Sequence, residues 1–146
     1  MRSSRPTPRG VVVALVVFAL AFASCGGKKP RPLYPTSGKL NINGLPAGNV
    51  TVFFHAVNPA DAEETRSFAT TNPDGTFSLT TRALNDGAPE GEYVVTLLYE
   101  PLDSPLMRQK GKPPTFDKKY NDPKTSTLRA KVENKPQNTI EPFDVK

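Results

Sequence analysis

Residues 49–57 read NVTVFFHAV, and their apolar side chains recur at every second position. Successive side chains of an extended strand point to opposite faces, so a period of two predicts a strand with one buried face. We expect the buried face to carry Val50, Val52, Phe54 and Ala56, and the outward face to carry Thr51, Phe53 and His55.

The same period recurs along the chain between clusters of turn residues. The sequence Asn72-Pro73-Asp74-Gly75 separates two of the alternating segments and predicts a hairpin. We therefore predict an all-β fold, a seven-stranded antiparallel β-sandwich with about eighteen inward apolar side chains. The other six predicted strands are Lys39–Asn43, Arg66–Thr71, Thr76–Thr80, Tyr93–Tyr99, Leu128–Val132 and Thr139–Val145.

Composition agrees with strands and turns. The chain has 146 residues, of which 16 are proline and 10 are glycine, which favours one modest domain without long helices. The formal net charge is +5, but residues 1–60 carry seven basic groups and no acidic group. The basicity therefore belongs to the N-terminal part of the chain and not to a patch on the fold, and we expect no nucleic-acid partner.

The N-terminus has the layout of a secretory signal. Arg2, Arg5 and Arg9 precede the apolar run Val11–Ala23, which ends in small residues. A helix of this run would span about 20 Å, whereas a bilayer core needs about 30 Å. We predict a signal peptide over residues 1–24; an uncleaved anchor of about eighteen residues remains the alternative.

The end of this run, Leu20 to Gly26, resembles a bacterial lipobox, although Phe22 stands where Leu, Val or Ile is usual. The resemblance implies that Cys25, the only cysteine, becomes the lipidated first residue of the mature protein. The alternative is a buried thiol in a membrane helix. Lipidation implies a partner membrane, with the domain outside the cytoplasm, on the outer membrane or the periplasmic face of a bacterial envelope. Acyl chains would hold the domain there almost permanently.

Two proline-rich segments interrupt the strand pattern. Residues 25–36 predict a flexible tether whose basic residues Lys28, Lys29 and Arg31 serve either lipid headgroups or solubility. Residues 101–123 predict a long exposed loop, which Phe116 and Tyr120 pin back to the sandwich.

Turn and strand segments recur in a fixed order along the chain: Pro35–Leu40, Leu45–Val52, Thr71–Phe77, Gly91–Thr96, Lys119–Ser126 and Phe143–Val145. Through these segments residues 37–146 resemble the carboxypeptidase regulatory-like domain, in a version abundant in planctomycete lipoproteins. The resemblance implies a seven-stranded sandwich of transthyretin-like (prealbumin-like) topology without catalytic activity.

Residues that could carry chemistry are few. His55 is the only histidine, so a triad or a multi-histidine metal site would depend on it alone. The several histidines and C-terminal Tyr-Arg-Gly-Ser of transthyretin-like hydroxyisourate hydrolases do not occur here. Asn72 and Asp74 could hold calcium, but a turn that needs a positive φ at Gly75 explains them better. We expect no enzyme activity, no metal and no cofactor.

Two further possibilities concern charged residues. Related adhesin sandwiches join a first-strand lysine to a last-strand acid through an isopeptide bond; here Lys39 and Asp144 would react, assisted by Glu92 or Glu141. This reaction needs desolvated groups, whereas alternation places both outward. Two loops carry charges of opposite sign and could recognise a charged partner, although simple exposure to solvent explains these charges as well. One loop holds Asp61, Glu63 and Glu64, and the other holds Lys110, Lys112, Lys118 and Lys119.

The sequence therefore predicts a membrane-anchored, non-catalytic envelope lipoprotein with a binding or structural β-sandwich and an unknown protein or glycan partner. The alternative is a surface-presented carbohydrate- or peptide-binding accessory module. The platform of that module would be four exposed aromatic residues, Phe53, Tyr99, Phe116 and Tyr120.

Overall fold

The computed structural model of the protein describes residues 29–58, 66–99 and 114–146. These residues form two facing sheets of short strands and one 3₁₀ turn, with no α-helix among them. The predictions of an all-β fold and of two packed sheets are therefore confirmed. The strands are β1 Thr36–Ile42, β2 Leu45–Pro46, β3 Thr51–Ala56, β4 Ser67–Thr70, β5 Thr76–Ser78, β6 Gly91–Leu98, β7 Arg129–Val132, β8 Asn138–Thr139 and β9 Phe143–Val145.

The first sheet is organised around β1. Strands β2 and β5 pair with β1 antiparallel, whereas β8 and β9 pair with it parallel. The sheet is therefore mixed, and the prediction of a purely antiparallel sandwich is wrong here. The last predicted strand is also divided, because Pro142 lacks the N–H that a continuous ladder requires. The Leu45–Pro46 turn segment pairs as a short strand.

The second sheet has the order β4-β3-β6-β7 and is antiparallel throughout. Its central pair, β3 and β6, is aligned over six residues, from Thr51 opposite Leu98 to Ala56 opposite Tyr93. Alternation places Val52 and Phe54 in the core and leaves Phe53 and His55 on the outer face, as predicted.

Aromatic rings fill the space between the sheets. Phe54 of β3 contacts Phe77 of β5 and Phe143 of β9 edge-on, and it also lies against Tyr93 of β6. The rings of Phe77 and Phe143 are stacked at an interplanar angle of 2°. Phe54 therefore joins both sheets in one core, and the buried Tyr93 hydroxyl donates to the Pro89 carbonyl at 2.6 Å.

The predicted hairpin across residues 72–75 is only half right. The turn is present, since Gly75 N–H donates to the Asn72 carbonyl and Asn72 N–H donates to the Thr76 carbonyl. The strands that it joins nevertheless enter different sheets, β4 beside β3 and β5 beside β1, with a single bridge between Phe68 and Thr80. The chain turns from one sheet to the other because Phe77 is buried between them.

Residues that precede β1 are already hydrogen-bonded to the sandwich. Tyr34 and Ala88 exchange backbone hydrogen bonds, and the Arg31 guanidinium donates to the Glu90 carbonyl. The sandwich thus includes residues that precede the predicted boundary at Ser37. Later in the chain, between β6 and β7, the 3₁₀ turn Lys118–Asn121 buries Tyr120 in the core.

Several sequence predictions lie outside the described residues. They are the signal peptide over residues 1–24, Cys25, the tether up to residue 28, most of the loop at 101–123, and the acidic residues Asp61, Glu63 and Glu64. Within the described ranges no helix has the length and apolarity needed to cross a bilayer.

The corner at residues 72–76 yields a test of the fold. Gly75 and Gly44 both have φ of +79°, but a Cβ on Gly75 would lie 2.5 Å from the Leu40 carbonyl oxygen, whereas Gly44 has no atom within 4 Å. Gly44→Ala should lower the free energy of unfolding by about 1 kcal/mol, because a residue with a Cβ is disfavoured in the left-handed conformation. Gly75→Ala should lower it by about 1–3 kcal/mol more through the clash.

Urea unfolding of the two variants measures both values. Equal losses of stability would contradict the close packing of this corner against β1.

Candidate functional site

The outer face of the second sheet carries the candidate site. Phe53 lies directly opposite Phe68 of β4, and their ring centroids are 6.3 Å apart. The ring of His55 lies 6.4 Å from that of Phe53 along β3. Strand alternation thus lines up three rings on a surface that faces away from the core.

Phe53 and His55 border a groove of about 450 Å³, and the ring of Phe68 lies beside Phe53 outside its lining. Its floor is formed by the outer face of β3 and β6, including His55 and Thr96. Arg66 enters it from the start of β4, and Pro123 from the segment after the 3₁₀ turn. The groove is therefore open and largely apolar, with one histidine and one arginine as its ionisable groups among the described residues.

His55 is held by a side-chain hydrogen bond. Its Nε2 lies 2.8 Å from Oγ1 of the buried Thr96 on β6. Burial of the ring lowers the pKa of His55 below its usual value, and the positive charge of Arg66 lowers this pKa further. The imidazole is therefore neutral at physiological pH and acts as a hydrogen-bonding group.

This environment differs from that of a catalytic histidine in a triad. A triad places a carboxylate beside the histidine to stabilise the imidazolium, whereas Arg66 disfavours the imidazolium. Thr96 is only 4% exposed, and its Oγ1 is already bonded to His55 Nε2. Within residues 29–58, 66–99 and 114–146, no three histidine, cysteine or acidic side chains are grouped closely enough to hold a metal.

The four aromatic residues proposed as a binding platform are separated by the fold. Phe53 lines the groove, whereas Tyr99 and Phe116 are half-buried against the core. Tyr120 is only 7% exposed and belongs to the core, so its expected exposure is wrong; its role in pinning the loop stays a prediction, because most of that loop lies outside the described residues. Its exposure is low because the 3₁₀ turn directs Tyr120 inward.

Phe68 is an exposed aromatic residue that the sequence alone did not identify as a candidate for the binding surface. The alternation of residues 66–71 buries Ser67 and Ala69 and turns Phe68 outward. The same period that identified Phe53 could have identified Phe68, had the two predicted strands been placed side by side.

The Asn72–Gly75 segment is a self-contained turn. Asp74 Oδ1 accepts hydrogen bonds from both Thr76 Oγ1 and Thr76 N–H, at 2.6 and 3.0 Å. Asn72 Nδ2 donates to the same hydroxyl. Hydrogen bonds from the Thr76 side chain and backbone lower the pKa of Asp74. The oxygens considered for calcium therefore fix the turn instead.

Two of the charged candidates, Asp144 and Lys119, have local partners. Asp144 Oδ1 accepts from Asn41 Nδ2 at 2.8 Å, and Asn41 is its register partner, so Asn41 rather than Lys39 lies beside the acid. Lys119 forms an ion pair with Asp117, and its ammonium lies 4.9 Å from the Tyr120 ring centroid.

Comparisons with known proteins add no assignment: the chain matches no protein-family model, no curated protein and no solved structure.

The buried histidine gives a pH-dependent prediction. Because the folded pKa of His55 lies below its unfolded value of about 6.5, the unfolded chain binds more protons as pH falls below that value. The free energy of unfolding should therefore fall from pH 7.5 to pH 5. His55→Gln keeps a polar side chain without this titration and should fall less steeply.

Denaturant unfolding at several pH values checks this slope. Acidic residues with a lowered pKa, such as Asp74, titrate below this window and contribute equally to both proteins. Parallel slopes for the two proteins would contradict the environment described for His55.

Proposed function

We propose that the protein is a membrane-anchored, non-enzymatic lipoprotein of a bacterial cell envelope, whose β-sandwich serves binding or envelope architecture. The observation that carries the proposal is the lipobox-like end of the apolar run, in which the only cysteine, Cys25, follows Ala23 and Ser24. The three N-terminal arginines before that run add the charge pattern of an export signal.

The point in the chain where the sandwich begins supports the proposed order of signal peptide, lipidated cysteine and folded domain. The first side chain described as bonded to it, Arg31, lies six residues after Cys25. An anchor at Cys25 would therefore leave the sandwich outside the membrane as a complete hydrogen-bonded unit. The location is proposed to be the outer membrane or the periplasmic face of the envelope.

We further propose that the sandwich is a carboxypeptidase regulatory-like domain with transthyretin-like topology. The two-sheet arrangement supports this proposal, as do the turns at two of the resembling segments. One is the Asn72–Gly75 corner, and the other is the start of β6 at Gly91. A non-catalytic role agrees with the neutral, arginine-flanked environment of His55.

Metabolic labelling with radioactive palmitate tests the anchor. The protein should incorporate label, and Cys25→Ala should abolish it because no other thiol is present. Ser24→Ala keeps a small residue before the cysteine and should retain the label, which makes it the matched control. Phe22→Leu supplies the usual lipobox residue and should process at least as fast.

Labelling that persists in Cys25→Ala would reject lipidation at this residue. Loss of label in Ser24→Ala as well would point to failed export rather than to a missing acceptor thiol.

A second function is favoured by the groove, namely binding of a carbohydrate or a peptide as an accessory module. Phe53 lines the groove with His55 and Arg66 as its polar groups, and the ring of Phe68 lies 6.3 Å from that of Phe53. Aromatic faces suit the apolar faces of sugar rings and peptide side chains, and the polar groups would orient them.

Glycan and peptide arrays probed with the purified protein test this function. Phe53→Ala should weaken binding of a ligand in the groove about fivefold to tenfold, the factor expected for one aromatic contact. Leu45→Ala removes an exposed apolar side chain elsewhere and should leave binding unchanged. Equal effects of both substitutions, or arrays without any ligand, would count against the groove.

A further inference from the structure

The groove on the outer face of β3 and β6 holds an arginine that no described acid neutralises. Arg66 is exposed just before β4 and lines the groove. Within the described residues, its guanidinium takes part in no ion pair and no side-chain hydrogen bond. The N–H donors of its planar fork are therefore available to a bound molecule.

His55 offers a second hydrogen-bonding group in the same groove. Its Nε2 is held by Thr96 Oγ1, whereas its Nδ1 has no partner among the described residues. No buried side-chain nitrogen or oxygen in those residues lacks a partner, so Nδ1 is accessible to solvent. When the Thr96 hydroxyl donates to Nε2, the ring proton lies on Nδ1 and can be donated to an acceptor in the groove.

Arg66 and His55 lie close enough to influence each other. The positive charge of Arg66 adds to the effect of burial in lowering the pKa of His55. A guanidinium and an imidazole that share an apolar groove favour an anion that accepts hydrogen bonds from both.

Acidic side chains are few around these two groups. Strands β3 and β4 contain none, and none lines the groove among the described residues. Strand β6 carries one, Glu92, which lies opposite Lys131 of β7 and outside the lining. The described part of the groove therefore has a positive charge, from Arg66, that the carboxylate of a ligand would balance.

The rest of the groove suits an apolar group better than a sugar. Phe53 supplies an aromatic face, and the volume of about 450 Å³ is in the range of small-ligand pockets. The hydroxyl groups of Ser67 and Thr96, which also line the groove, are already hydrogen-bonded within the protein. A sugar ring carries several hydroxyl groups that need partners, whereas an apolar side chain beside one carboxylate needs an apolar surface and one anion site.

We propose that the groove binds a carboxylate joined to an apolar group, as presented by the C-terminal residue of a peptide. The carboxylate accepts hydrogen bonds from Arg66 and from His55 Nδ1, and the apolar group packs on Phe53. This inference rests on the proposed binding function of the groove and names the class of its ligand. A single free amino-acid derivative presents the same chemistry, so the experiment includes both sources.

Fluorescence anisotropy with the full chain in nonionic detergent tests the carboxylate. The probes are two dansyl-labelled peptides that end in phenylalanine and differ only at the C-terminus, which is a free acid in one and an amide in the other. The acid should bind about tenfold tighter, because only the acid forms charge-assisted hydrogen bonds.

Unlabelled N-acetylphenylalanine, added as a competitor, distinguishes the two sources. Displacement of the acid probe at a similar concentration would identify a single residue as sufficient. Displacement only at a much higher concentration would show that more of the peptide contacts the groove. Both results support recognition of the carboxylate.

Three substitutions locate the contact. Arg66→Gln should weaken binding of the acid about tenfold and leave the amide unchanged, which abolishes the preference. Arg129→Gln is the matched control, because Arg129 is an exposed arginine on β7 that does not line the groove. Phe53→Ala should weaken acid and amide alike, since it removes only the apolar contact.

The outcomes separate the ligand class from the binding function of the groove. Equal binding of acid and amide, lost in Phe53→Ala, would reject the carboxylate site and leave the groove as a binding surface. Binding of neither peptide would reject the proposal, and a glycan that binds through Phe53 without Arg66 would preserve the binding function alone. A preference for the acid that persists in Arg66→Gln would place the anion elsewhere and would also overturn the proposal.

Discussion

Contact between the two sheets through Phe54 is the constraint on which the rest of the fold depends. This one ring meets Phe77 and Phe143 of the first sheet and Tyr93 of its own sheet. Strand alternation then determines the remainder: because Phe54 points inward, Phe53 and His55 must point outward. The core and the candidate groove are thus the two faces of the same strand. A change in the register of β3 by one residue would exchange them.

Local period and turn chemistry were sufficient to predict most strands, their buried faces and the outward position of Phe53 and His55. They could not predict which strands pair. The Asn72–Gly75 turn is the clearest case, because its residues specify a reversal of the chain but not whether the next strand stays in the same sheet. Burial of Phe77 between the sheets decides that point, and it is a tertiary effect. The parallel pairing of β8 and β9 with β1 is likewise a long-range choice that no window of sequence contains.

In the candidate site, too, some features follow from local sequence and others depend on tertiary structure. Tyr120 was proposed both as a binding surface and as a pin for its loop, and the 3₁₀ turn that directs it inward excludes the exposed position. Phe68 is recognised as the neighbour of Phe53 only when β4 is placed beside β3. The pKa of His55 is lowered first by burial of the ring and then by Arg66, which is eleven residues away in sequence, and both effects arise from tertiary structure.

The pairing of β1 with β9 also determines when the domain can be completed during synthesis. Asn41 and Asp144 are 103 residues apart, and they are joined by a side-chain hydrogen bond as well as by strand register. One side of β1 has no strand partner until residues 138–145 have been made, and such non-local closure is slow. The first sheet therefore stays incomplete while the preceding residues are being synthesised, a state that would suit the export proposed for this chain.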